Sequence, residues 1–209
     1  MVTANLGGST GGLDYLVAVD GLSELFEDFD NVADRIKTRA SMAINATARK
    51  FRTEGSREIR KQVAFPARYL DSKADGKLRV RRQASAERLE AAIEGRFDPT
   101  SLANFVTGSK ARGRKNPKLR VSPGSTTFIP NSFIINLANQ NKGLAIRLKP
   151  GESLRNKRKM ISFTKADANL YLMYGPSVDQ VFRSVAGDIS PEAALFLERE
   201  FLRLTENLL

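Results

Sequence analysis

The 209-residue chain contains no cysteine, no histidine and no tryptophan. Without Cys and His there are no thiolate nucleophiles, CxxC redox pairs or usual structural-zinc ligands, no Ser-His-Asp triad, and no proton shuttle working near neutral pH. Most familiar enzyme classes are excluded with them, and the expectation is a protein with no catalytic residues, no metal and no cofactor. Long apolar runs are missing too. Leu16 to Val19 and Ala193 to Leu197 fall far short of the roughly 20 residues that cross a bilayer, so no membrane partner is expected. Residues 1–21 lack the cationic start and apolar stretch of a signal peptide, which predicts a protein made and kept in the cytosol. Asn45-Ala46-Thr47 therefore matches a glycosylation acceptor by letter only.

What the chain has in excess is positive charge, with 34 Lys and Arg against 23 Asp and Glu and a formal net charge of +11. The excess is segregated. Residues 1–34 hold seven acids and no base, and 35–83 hold fifteen bases and four acids. Residues 84–108 hold two bases and four acids, 109–165 fourteen bases and one acid, and 166–209 three bases and seven acids. For 35–83 a solvated helix face and a partner surface are both open readings. For 109–165 the single acid, Glu152, cannot pair fourteen cations, so the charge is expected to be neutralised by another part of the chain or by an acidic partner. Phosphate polymers and acidic protein surfaces both qualify.

Periodicity gives a coarse structure. Residues 1–12 read as a flexible arm or strand lead-in, and Leu13 to Val19 as a short strand before the Asp20-Gly21 turn. From Leu22, apolar residues including Ile36, Ala40, Ala43, Ile44, Thr47 and Phe51 recur every three or four positions, one stripe of a long helix. A break is expected near Asp30-Asn31 or at Gly55, and Pro66 opens a short helix. Alternation predicts strands at Leu78 to Gln83, around Leu89 to Glu94, at Phe128-Ile129, Phe133 to Leu137, Leu144 to Leu148 and Leu170 to Tyr174. The strand at Leu144 to Leu148 reads as having one wet face, carrying Ala145 and Arg147. Thr107 to Lys118 and residues 149–165 read as exposed basic loops. Two closing helices are expected, the first with the face Val178, Val181, Phe182 and Val185. The second is capped by Ser190 with Pro191 at its first position and carries the stripe Ala194, Leu197, Phe201, Leu204 and Leu208. The sum is an α+β protein, helices on a mostly antiparallel sheet, with an arm and short strand over 1–20 and a single domain over 21–209. The closing helix is expected to pack on the chain's own sheet.

No motif carries chemistry. Gly108 and Gly113 resemble the glycines of a phosphate loop, but Arg114, Lys115 and Asn116 stand where Lys and then Ser or Thr must reach phosphate and Mg²⁺. Asp28, Asp30 and Asp34 lack EF-hand spacing and read as a solvated acidic face. Glu54 and Glu58 beside Lys50 and Lys61 are ordinary helix pairing. Tyr171 and Tyr174 read as core residues of a strand. The candidate contacts for DNA or an acidic partner are Lys110, Arg112, Arg114, Lys115 and Lys118 in the first loop and Arg155, Lys157, Arg158 and Lys159 in the second. The acids Asp14, Asp20, Glu24, Glu27 and Asp28 are candidate subunit contacts, because opposite patches on one chain suit head-to-tail association.

The order of features resembles the minor tail protein Z family of lambda-like tailed phages. The resemblance is carried by Gly21-Leu22 leading into a long helix with Ala40-Ser41-Met42-Ala43-Ile44-Asn45, by Leu78-Arg79-Val80, by Phe128-Ile129-Pro130, and by Tyr174-Gly175-Pro176-Ser177-Val178 before the terminal helices. It covers residues 20–209 in order, with 40–45 and 174–182 its specific segments. It implies a virion protein of the tail or neck, assembled in host cytoplasm: a tail-completion subunit forming a homo-oligomeric, six-fold ring at the head-proximal end that helps join tail to head and pass DNA. The implied partners are the tail terminator, the head-completion protein, the tape measure and phage DNA. The acidic first 34 residues and the basic stretch 149–165 depart from the family's pattern. The alternative is a stand-alone, non-sequence-specific nucleic-acid-binding protein.

Overall fold

The computed structural model describes residues 3–5, 14–20, 30–71, 76–138, 140–149, 151–152, 160–162 and 169–206, with the backbone alone for 3–5, 14–20, 30–33 and 160–162. Glu24, Glu27 and Asp28, the basic residues Arg155, Lys157, Arg158 and Lys159, the helix stretch 22–29 and Leu208 lie outside the described residues.

The fold is α+β, as the alternation of periods predicts. One antiparallel sheet has the order β1-β2-β4-β3, with β1 Thr3–Asn5, β2 Asp14–Asp20, β3 Leu78–Arg82 and β4 Glu90–Gly95. Thr3–Asn5 thus form a strand on β2, where a flexible arm was one expectation. A second antiparallel sheet has the order β7-β8-β10-β9. Here β7 is Ser132–Asn136, β8 Lys142–Arg147, β9 Met160–Ser162 and β10 Leu170–Met173. β9 lies inside the stretch 149–165 that reads from sequence as loop. A two-stranded ladder, β5 Lys118–Leu119 with β6 Thr127–Phe128, stands between the sheets in sequence.

The helices bind these layers. α1, Asp30–Gln62, packs on β2, β3 and β4, and its expected stripe is buried: Ala40, Ala43 and Ile44 are fully enclosed, joined by Ala48 and Ile59. Asn45 completes the seat, its carboxamide donating to the Ala84 carbonyl at 2.9 Å and accepting from the Ala84 N–H at 2.8 Å. α1 begins at Asp30, one of the two places where a break is expected, and runs unbroken through Gly55, the other. A Cβ at Gly55 would lie 2.5 Å from the Phe182 ring, so this glycine lets two helices approach closely and does not end one. The short α2, Ala67–Asp71, follows Pro66 as predicted.

α3 is a single helix, Val178–Thr205, where the sequence predicts two. Ser177 is its N-cap, its hydroxyl accepting from the Gln180 N–H at 3.0 Å. Ser190 caps nothing: its hydroxyl donates to the Ala186 carbonyl at 2.7 Å, mid-helix. Pro191 costs about 3 kcal/mol inside a helix, yet packing on both sides offsets it. Val185 and Ala186 before it and Ala193, Leu197 and Phe201 after it are all buried. Lys50 of α1 fixes the same turn, bonding Glu192 at 3.1 Å and lying 4.5 Å from the Phe196 ring centre. α3 therefore packs chiefly on α1, its principal partner in the chain, and also touches β1 and β4 of the first sheet, so the expected sheet contact is present but secondary. The Phe182 ring meets Phe51 edge-on at 5.8 Å.

Both sheets and both long helices feed one core that includes Ile93, Phe105, Leu119, Ile134 and Leu144. The second face of the β7-β8-β10-β9 sheet is not simply wet. Ala145, Leu170 and Leu172 are buried there, with Phe133, Ile135, Leu137 and Tyr174 packed around them. Tyr174 is thus a packing residue, as its strand position predicts.

Candidate functional site

The basic loop 107–118 is exposed but not loose. Its neck is closed by Thr107 N–H to the Lys118 carbonyl and Arg120 N–H to the Phe105 carbonyl, both 2.9 Å. Its far side lies along the open edge of β7. Gly113 N–H reaches the Ile134 carbonyl at 2.8 Å, Ile134 N–H the Arg114 carbonyl at 3.1 Å, and Asn116 N–H the Ser132 carbonyl at 2.7 Å. Edge strands offer unpaired backbone groups that invite aggregation, and this loop occupies those of β7. Gly113 at φ 79° and Asn116 at φ 45° make the left-handed turns the path needs, conformations that Gly and Asn tolerate best.

Fixing the loop on β7 gathers residues that the sequence keeps apart. A cleft of about 510 Å³ opens between Lys115 and Asn116 of the loop, Asn131 and Phe133 at the start of β7, Arg147 to Lys149 at the end of β8, Glu152, and Asn169 before β10. Phe133 and Leu148 are half-buried, whereas the cations and asparagines of the cleft are exposed. Glu152 accepts a hydrogen bond from the Lys149 backbone N–H at 2.8 Å.

The predicted contacts fare unequally. Lys115 lines the cleft, Lys118 stands on the neighbouring ladder, and Arg112 is exposed at the loop's turn. Arg114 turns back, its guanidinium donating to the Ser109 carbonyl at 2.6 Å. Lys110 is half-buried, and that burial pushes its pKa below the usual lysine value. Among the described residues no carboxylate lies within ion-pair distance of Lys110, Arg112, Arg114, Lys115, Lys118, Arg120 or Lys149. Asp14 and Asp20 sit at the ends of β2, opposite Glu94 and Thr3 in the ladders, within a sheet and not on a free arm.

Sequence reasoning missed Arg147, Lys149 and the three asparagines as parts of a site. Arg147 and Lys149 were visible as charge; the asparagines carry none, and their meeting depends on the loop's docking. Among the described residues no three carboxylates converge as metal ligands, and no described helix is long and apolar enough to cross a membrane. Comparison with protein-family models, curated proteins and solved structures returns no match for this chain.

Proposed function

We propose that this protein is a structural subunit of a tailed-phage particle. In this reading it is a minor tail or tail-completion protein at the head-proximal end of the tail, forming a six-fold ring that helps join tail to head and pass DNA. It performs no reaction. Its partners are further copies of itself, the neighbouring tail terminator, head-completion and tape-measure proteins, and DNA. The resemblance carried by segments 40–45 and 174–182 supplies the family. The observation that carries the reading is that Arg112, Lys115, Lys118 and Lys149, along or near the β7 edge, have no carboxylate within ion-pair distance among the described residues, since a surface built that way is completed by an anionic partner.

Both resembling segments sit on packing features. Ala40, Ala43 and Ile44 are fully buried, and Gly175, Ser177 and Val178 launch α3. That supports a shared fold more directly than a shared partner. The deciding measurement is the symmetry-resolved image of a particle containing this chain, together with sedimentation of the purified protein in low salt. Ring density at the head-proximal end of the tail is the expected result. A monomer both alone and with tail components, and particles without such a ring, overturn the reading. The second reading, a stand-alone nucleic-acid-binding protein, draws on the same unpaired cations and predicts tight binding at physiological salt without any assembly.

A further inference from the structure

The cleft beside the β7 edge combines three chemistries, and its geometry points to a binding site for one nucleotide unit of a single DNA strand. The half-buried Phe133 and Leu148 form an apolar floor, and the exposed Lys115, Arg147 and Lys149 form a cationic rim. The carboxamides of Asn116, Asn131 and Asn169 add donors and acceptors. A nucleotide presents the matching parts: a flat base, a phosphate, and base edges that hydrogen-bond. A volume of about 510 Å³ lies within the range that takes small ligands and is far too small for a duplex. Among the described residues neither Lys115 nor Lys149 has a carboxylate within ion-pair distance of its ammonium, and Glu152 is already engaged by the Lys149 N–H.

The surface continues past one nucleotide. Asn116 and Asn131 lead along their own segments to Lys118 and Phe128, which the β5–β6 register sets opposite one another. Phe128 is 58% exposed, a large ring left open to solvent beside a cation that has no carboxylate partner among the described residues. Open aromatic rings interleaved with cations are how proteins hold single strands without reading sequence, because every base has a face to stack. An acidic protein would satisfy the cations and leave Phe128 and the asparagines without use. The choice of DNA over RNA rests on the tail reading above; the strand site itself does not.

Fluorescence anisotropy of a labelled oligothymidylate with the purified full chain, titrated with NaCl, tests the site. The expected result is that the single strand binds at least tenfold more tightly than a duplex of equal length, and that thymidine monophosphate competes weakly. Phe128→Ala should loosen the strand about tenfold, the scale of one lost base–aromatic stack, without changing the salt slope. Lys115→Ala with Lys149→Ala should flatten that slope by about 0.7 per lost phosphate contact. All three positions being exposed or half-exposed, thermal melts must stay unchanged in these variants. Duplex binding as tight as the strand, a Phe128→Ala variant of unchanged affinity, or equal displacement by polyglutamate overturns the inference. Particle imaging decides the tail reading separately, so either can fail without the other.

Discussion

Residues 35–83 and 109–165 carry nearly the same surplus of positive charge, +11 and +13 by residue count, but the fold treats them differently. In the first region Lys50, Arg52, Arg57, Lys61, Arg79 and Arg82 each hold a carboxylate at 2.5 to 3.2 Å. Those acids come from α1 itself, from Asp71 of α2, from β4 and from α3, so the cations tie elements of the chain to one another. In the second region Arg112, Lys115, Lys118, Arg120 and Lys149 meet no acid among the described residues. Charge density therefore says little about which surface awaits a partner; the supply of nearby carboxylates says more. On that ground many cations of the first region serve the fold itself, whereas those named in the second remain available to a partner.

The comparison breaks most visibly through the core beneath the paired region. Phe182 is fully buried against Phe51 and Gly55, and Phe182→Ala should cost about 3–5 kcal/mol in denaturant melts. Gly55→Ala pushes a methyl into the same ring and should cost about 1–3 kcal/mol. A stable Phe182→Ala variant would show that α1 and α3 do not depend on this contact, and the self-contained picture of the first region would fail with it.

Arg52 gives the next effect in size. It pairs with Asp71 at 3.2 Å and donates to the Leu78 carbonyl at 3.0 Å, linking α1 to α2 and β3. Arg52→Met leaves a half-buried carboxylate and a carbonyl without that partner, which costs about 1–3 kcal/mol. The triple variant Arg112→Ala, Lys115→Ala, Lys118→Ala removes three charges from the other region, where each exposed change should stay within about 0.5 kcal/mol. Equal destabilisation by the two variants would erase the distinction between the regions.

Much of this fold is legible in the sequence, because burial follows periods that one chain displays by itself. The stripe Ala40 to Phe51, the alternation in β3, and the face Val178 to Val185 all lie where periodicity puts them. The misreadings share one cause. Gly55 and Ser190-Pro191 send a local signal to stop a helix, and contacts from distant chain override it: Phe182 fills the space at Gly55, and α1 holds both halves of α3. Ala145 alternates with apolar neighbours like a solvent-facing residue, but Leu170 and Leu172 are buried on the same face. The cleft was half legible. Its cations stand out in any charge count, whereas Asn116, Asn131 and Asn169 become a group only once the loop's backbone docks on β7.

The smallest predicted effect sharpens the comparison inside the unpaired region. Lys110, a predicted contact there, has its ammonium held down in pKa by burial. Folding thus disfavours its charged form, and no carboxylate among the described residues repays that cost. Because the folded pKa is depressed, the penalty is fully present at neutral pH. It is relieved as pH rises through the lowered folded value towards that of an unfolded lysine. Lys110→Met should therefore melt slightly higher than the parent at neutral pH, by less than any change above, and the gap should close in alkaline solution. Other lysines titrate in both proteins, so the difference between the two melts isolates residue 110. An anionic partner bound at this loop would stabilise the charged lysine and reverse the order, so repeating the pair of melts with oligothymidylate tests the outward-facing role directly. A gap that stays constant with pH, or a Met variant that melts lower at neutral pH, would show that Lys110 is paired within the fold after all.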